Sequence, residues 1–292
     1  MQKVRNQTVC NTFQVGVPKG IRIRKGKDKF ETIKLFHGIL VPFAERRIIE
    51  MRKNIAVIFA GGSGVRMNTR AKPKQFLEMN GKPIIVHTLE YFQNNSDIAG
   101  IVISCIGQWV NHMAELAEKY HLDKIVKIVK GGSTGQESIY NGLCAVKELY
   151  SSDDVAVLVH DGVRPLITDD LISRNIETVW QYGSAITVTP VTETVVVSEM
   201  GGNLQDVIER DNCFCAKAPQ TFKLDDILAA HKRAIADGRN NMIDSATLMQ
   251  SYGYKLHLVE GPVENIKITN PPDFYVFRAL YEARENSQIF GI

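Results

Sequence analysis

Residues 54–60 (NIAVIFA) form an unbroken apolar run that ends at Gly61 and Gly62, the pattern of a strand buried on both faces that opens into a loop. Over 82–92 the apolar residues Ile85, Leu89 and Phe92 fall on one helical stripe, and a second strand over 100–106 (GIVISCI) leads to a second helix over 109–120. The cycle repeats: 124–129 reads as a strand before Gly131 and Gly132, and 137–150 sets Ile139, Leu143, Val146 and Leu149 at helical spacing. Residues 155–159 (VAVLV) are a further buried strand, after which Thr168 and Asp169 offer an N-cap to a helix running to Trp180. Alternation of this kind predicts an α/β fold, a mostly parallel sheet with helices on both faces. In such open sheets a ligand sits beyond the carboxyl ends of the strands, where Gly61, Gly131 and Asp161 fall.

The segment 184–215 breaks the alternation: it is rich in β-branched residues and holds Gly201-Gly202, a two-residue hairpin signal. It predicts a β-arm over about 189–215 that projects from the body. Its open edges and apolar surface are what a second subunit would cover, so a homodimer is expected. Beyond it, helices are predicted near 224–236 and 244–252, strands near 255–259 and 265–269, and a helix over 273–283.

Composition leaves this picture standing, and charge refines it. With 44% apolar and 23% charged residues the 292-residue chain is globular in type. No apolar run reaches the ~18 residues of a membrane span and no basic-then-apolar leader opens the chain, so membrane insertion and secretion are not expected and the cytoplasm is. Five scattered cysteines fit reduced thiols, and Cys213-x-Cys215 lacks a second ligand pair for zinc. Residues 1–50 carry 11 Lys/Arg against 4 Asp/Glu, while 51–292 carry 24 against 28. The overall +3 thus hides a basic front segment on a mildly acidic body, which removes the argument for nucleic-acid binding by the main domain. The expected organisation is a basic N-terminal extension over 1–50, either a poorly ordered tail or the product of an over-extended start site ahead of Met51, and a domain over 51–292.

The loop GGSGVRM (61–67) follows a strand, as a phosphate cradle should, because glycines let backbone N–H groups approach anionic oxygens. Met67 stands where a dinucleotide fingerprint needs its third glycine, and the Lys-Ser/Thr ending of a P-loop is absent. Arg66 and Lys74 follow instead, two cations whose spacing suits a triphosphate that sheds pyrophosphate. A glycine turn with solvated cations is the alternative.

Four ordered motifs now stand together: A-G-G-S-G-V-R-M with P-K-Q-F-L, G-G-x5-S, V-H-D-G-V-R-P and E-N-I-K-I-T-N-P-P-D. Over about 54–283 the chain resembles the cytidylyltransferases that make CDP-methylerythritol and CDP-ribitol. The resemblance implies a Rossmann-like sheet, a dimer with interlocking arms and a shared active site, magnesium, CTP as donor and a polyol phosphate as acceptor. It implies that Gly61, Gly62 and Gly64 hold the triphosphate with Arg66 and Lys74, and that Gly131, Gly132 and Ser138 form the cytosine pocket. Asp161 matches the aspartate near ribose and metal, Arg164, Thr194 and Lys267 match positions at the acceptor phosphate or reaction centre, and Arg210 matches one supplied across the dimer interface. Arg66, Lys74, Arg210 and Lys267 are the catalytic candidates; Asp161 is the metal candidate.

An acceptor phosphate monoester, with a second pKa of about 6, is largely dianionic at neutral pH and needs no general base. The obstacle is repulsion between two polyanions, which fixed cations relieve. The donor-side motifs are intact, whereas Ala218 and Ile243 replace threonines that methylerythritol enzymes usually carry, Gly135 replaces an arginine, and Val195 and Val196 follow Thr194. That asymmetry implies an altered acceptor. H-D-G-V-R-P and G-Q-W-V (107–110) are closer to the ribitol branch, which also tends to keep the threonines, so methylerythritol 4-phosphate and ribitol 5-phosphate stand level. Another sugar or polyol phosphate in wall or capsule synthesis is a further alternative, as are a non-catalytic nucleotide-binding protein and a nicotinamide oxidoreductase, the last resting on α/β alternation alone.

Overall fold

The computed structural model describes residues 20–24, 30–36, 39–41, 52–61, 72–151, 154–199 and 202–290, with backbone alone for those before 52 and for 287–290. The chain divides into two compact units, Met1–Arg52 and Lys53–Ile292. In the first, β1 (Gly20–Arg24), β2 (Phe30–Phe36) and β3 (Ile39–Val41) form an antiparallel sheet in which Lys34 pairs with both Gly20 and Val41.

The second unit is built on a seven-stranded sheet. Its first strand, β4 (Arg52–Ala60), is followed by a short hairpin of β5 (Glu78–Met79) and β6 (Lys82–Pro83). The hairpin turns at Asn80 and Gly81, whose φ of 52° and 74° are the left-handed pair that a two-residue turn requires. Then come α1 (Ile84–Asn94), β7 (Gly100–Cys105), α2 (Val110–Lys119), β8 (Ile125–Lys130), α3 (Gly135–Leu149), β9 (Asp154–Asp161) and α4 (Asp169–Tyr182). As expected, Thr168 caps α4 by accepting from the Leu171 N–H, and Thr134 does the same for α3 from Glu137. The chain continues through β10 (Ser184–Pro190), β11 (Val195–Ser198), β12 (Leu204–Ile208), β13 (Phe214–Lys223), α5 (Leu224–Ala236), α6 (Ser245–Ser251), β14 (Leu258–Glu260) and α7 (Pro271–Phe290).

The sheet order is β14-β10-β13-β9-β4-β7-β8, with β4, β7 and β8 parallel and β13 running against both β9 and β10. Side chains alternate across it. Ala56, Ile58, Ile101, Ile103 and Leu158 pack under α1, α2 and α4, whereas Ile55, Val57, Val102, Val157 and Phe222 pack under α3, α5 and α6. No helix among the described residues is long and apolar enough to cross a membrane.

Two expectations need correction. The arm does not take in 189–190, nor does the break in pattern begin at 184: β10 lies in the sheet with Ser184–Thr189 buried, because Ile186 and Val188 belong to the core beneath α5. The projecting hairpin is β11 with β12, closed by the Glu199 N–H donating to the Asn203 carbonyl. No strand forms at 265–269. That stretch runs alongside the loop after β9, where the Ile268 N–H donates to the Val163 carbonyl at 2.9 Å. It is fixed from beyond by α7: Asp273 accepts from the N–H groups of Thr269 and Asn270 at 2.7 and 2.8 Å, Pro271 opens the helix, and Phe277 packs with Val163, Leu166 and Ile268.

Phe222 lies on β13, fully buried where the sheet meets α5, so Phe222→Ala should destabilise the fold by about 3–5 kcal/mol, measured as a shift in urea unfolding at constant slope.

Candidate active site

Gly61 follows β4 and Gly131 follows β8, and both press on Ser138 in the first turn of α3. A Cβ on Gly61 would lie 2.6 Å from the Ser138 Oγ, and one on Gly131 would lie 3.0 Å from it. The Ser138 hydroxyl is buried, donates to the Thr134 carbonyl at 2.9 Å and accepts from the Gly132 N–H at 3.0 Å. Glu137 accepts from both the N–H and the hydroxyl of Ser133 at 2.7 Å. The structure thus brings together Gly61, Gly131, Gly132 and Ser138 in a close-packed loop cluster. Gly62, Gly64 and Arg66 lie outside the described residues.

Asp161 ends β9 and carries the charge of the site. Its Oδ2 meets Arg164 Nε at 3.2 Å and its Oδ1 meets Lys267 Nζ at 2.5 Å. Burial alone would raise this carboxyl, but the charges of Lys267 and Arg164 prevail and lower it to about 2. Arg164 is itself buried and donates from Nη1 to the Asn265 carbonyl at 2.7 Å; Lys74, also buried, donates to the Ile268 carbonyl at 2.8 Å. The Asn265 side chain in turn donates to the Ala218 carbonyl at 2.7 Å. His160, next to Asp161, is buried and lowered to about 4 by that burial, so it is neutral at physiological pH. Its Nε2 lies 3.1 Å from the Arg164 carbonyl, the geometry of a donor, and its ring meets Phe92 edge-on: it braces the turn.

Asp161, Arg164 and Lys267 line one cavity of about 290 Å³ with Phe59, Lys217 and Gln220. Ala218 and Ile243, the positions of the absent threonines, line it too. Thr194 and Arg210 do not; both are exposed, and Arg210 donates to the Thr192 carbonyl at 3.3 Å beside the arm. Sequence reasoning passed over Lys217, Gln220, Asp244 and Asn265. Asp244 caps α6 and accepts from Gln220, a link that no spacing in the chain announces. Asn265 sits within the fourth motif and was legible there.

For a divalent cation the donor set is spare. No group of three His, Cys, Asp or Glu able to hold a metal occurs among the described residues, and the Asp161 oxygens already face two cations. One carboxylate fits magnesium in the common arrangement where substrate phosphates supply further ligands.

Residues 54–282 match the family profile described as 2-C-methyl-D-erythritol 4-phosphate cytidylyltransferase (IspD). The chain belongs to this family. Within it, the ribitol-5-phosphate cytidylyltransferase of Streptococcus agalactiae serotype V (strain ATCC BAA-611 / 2603 V/R) is 52% identical over 82% of this chain and 99% of its own. The enzyme of the same name from Vibrio parahaemolyticus serotype O3:K6 (strain RIMD 2210633) is 49% identical over 82% and 100%. The 2-C-methyl-D-erythritol 4-phosphate cytidylyltransferase of Clostridium novyi (strain NT) is 40% identical over 80% and 98%. The solved 4-diphosphocytidyl-2C-methyl-D-erythritol synthase from Anaerococcus prevotii DSM 20548 superposes with a TM-score of 0.70 at 25% identity, over 81% of this chain and 99% of that one. The resemblance read from the motifs and the α/β sheet are thereby borne out.

In this IspD-family chain the Asp161 carboxyl is lower folded than free, so its ion pairs stabilise the fold fully above pH 3.8 and that contribution fades as pH falls toward about 2. The stability gap between wild type and Asp161→Asn should therefore be widest at neutral pH and close over that interval. Equilibrium unfolding followed by circular dichroism across the interval checks this, and a gap independent of pH would refute it.

Proposed function

We propose that the protein transfers CMP from CTP to ribitol 5-phosphate, releasing pyrophosphate and forming CDP-ribitol. One observation carries the choice of acceptor: relatives named for ribitol 5-phosphate share 49–52% identity with the chain, against 35–40% for those named for methylerythritol 4-phosphate, at similar coverage. CDP-ribitol would serve wall or capsule polymers, and the compartment we assign is the cytoplasm, where CTP is available.

In the reaction an oxygen of the acceptor phosphate forms a bond to the α-phosphorus of CTP while the bond from that phosphorus to the β-bridging oxygen breaks in line. The electron pair leaves with pyrophosphate. No base is needed, because the phosphate is already ionised. What the chain must supply is positive charge in fixed positions. In this reading Lys267, adjoining Asp161, and Arg164 receive the acceptor phosphate, and Lys74 counters the triphosphate, as the resemblance implies for Arg66 also. Magnesium, held by the nucleotide phosphates and Asp161, would neutralise further charge there. When phosphates arrive, Lys267 is the cation freest to exchange Asp161 for them, being about two-fifths exposed where Arg164 is buried.

Arg210 enters from a second copy in this reading. The arm supports it: Val196, Leu204 and Val207 are each more than half exposed on β11 and β12, an apolar surface suited to a partner.

Two measurements test the proposal. With magnesium and CTP, pyrophosphate release should be at least tenfold more efficient, as kcat/KM, with ribitol 5-phosphate than with methylerythritol 4-phosphate; the reverse order would overturn the acceptor. Arg210→Ala and Lys267→Ala should each be inactive alone, yet part of the activity should return when the two are unfolded and refolded together, since a mixed dimer holds one intact shared site.

A further inference from the structure

Lys217 lies on β13, which pairs with β9 through Gln220 and Val159, Thr221 and Leu158, and Phe222 and Val157. Because the strands are antiparallel, the residues before Gln220 run on past the carboxyl end of β9, and Lys217 arrives at the mouth of the sheet beside Asp161. It lines the same cavity of about 290 Å³ as Asp161, Arg164 and Lys267. Its Nζ donates to the Val263 carbonyl at 3.2 Å, two residues from the Asn265 carbonyl that holds Arg164. The ionisable groups that act on it are Arg164, Cys215 and Glu264. Burial lowers its pKa first and the Arg164 charge lowers it further, and these two outweigh the opposing pull of Cys215 and Glu264; within the cavity itself Lys217 faces Arg164 rather than a carboxylate of its own.

Which of two anions would answer it follows from the strand order. Gly61, Gly131 and Gly132, the close-packed loops of the donor end, follow β4 and β8 and do not line the cavity. Lys217 stands on the other side of β9 from them.

We propose that Lys217 is an acceptor-binding residue that holds the acceptor's phosphate jointly with Arg164 and so helps to set which phosphorylated compounds the site accepts. This rests on the reading of the protein as a polyol-phosphate cytidylyltransferase. An ammonium is a compact charge with three donors, and here one is spent on Val263, which leaves others for phosphate oxygens.

The test is Lys217→Met in the full chain, with Lys217→Arg as the charge-conserving control and thermal melts to establish that each variant folds. Initial rates should show KM for ribitol 5-phosphate raised at least tenfold in Lys217→Met, KM for CTP within twofold of wild type, and most of the loss restored by Lys217→Arg. An unchanged acceptor KM, or an equal rise in both KM values, overturns the proposal. Should the wild type turn over no polyol phosphate, the acceptor reading falls by itself. Inorganic phosphate then becomes the probe, and calorimetric phosphate affinity that is the same in wild type and Lys217→Met overturns the role of Lys217 separately, whereas a tenfold loss upholds it.

Discussion

Lys74 and Arg164, both buried, and Lys217 and Lys267, both partly exposed, are gathered at one end of a sheet, and like charges held together repel unless each is answered by an acceptor. Asp161 answers two of them. Main chain contributes as well: the carbonyls of Val263, Asn265 and Ile268 accept from Lys217, Arg164 and Lys74 at 3.2, 2.7 and 2.8 Å. Carbonyl dipoles hold a cation in place without cancelling its charge, so the site keeps a positive potential for an incoming anion. Carboxylates in the same places would have ordered the cations equally well and removed the reason for a phosphate to bind.

That arrangement makes the stretch 263–268 the part on which the site's geometry depends. Its own conformation is fixed from three directions. Asn265 reaches β13 through the Ala218 carbonyl, Ile268 bonds to Val163 in the loop after β9, and Asp273 closes the turn into α7 by accepting from Thr269 and Asn270. Phe277 then anchors α7 in the small core with Val163 and Ile268. The last helix therefore acts on the chemistry at second hand, by fixing the carbonyls that fix the cations.

The sequence made much of this legible, for identifiable reasons. Elements of the body were readable because the central strands β4, β7 and β9 are buried along most of their length and most helices bury one face; 224–236 and the Thr168 cap came out as written. The ends of the arm were not, because β10 is β-branched like β11 and only its place in the sheet, packed against α4 on one face and the cluster under α5 on the other, separates the core strand from the projecting one. The stretch 265–269 has strand-like composition but pairs through one backbone bond to a loop, a partnership that no local pattern encodes. Among site residues, Asp161, Arg164 and Lys267 were found through motifs. Lys217 and Gln220 were passed over because β13 is antiparallel and presents its beginning to a site that otherwise collects strand ends.

The two halves of the site also differ in what they are made of. The loops after β4 and β8, the donor end in the proposed reading, are backbone: a single methylene on Gly61 or Gly131 would press on Ser138, so change there disturbs the loops themselves. The cavity beyond it is lined by side chains on β13 and the approach to α6, where Ala218 replaces a threonine without altering the carbonyl that Asn265 uses, and Ile243 stands 92% exposed with little packing to lose. Substitution on that side can change hydrogen-bonding groups while the fold stays as it is. A family that keeps one nucleotide and changes the compound it activates would be expected to vary on this side of the sheet, and two of the departures of this chain, Ala218 and Ile243, fall there.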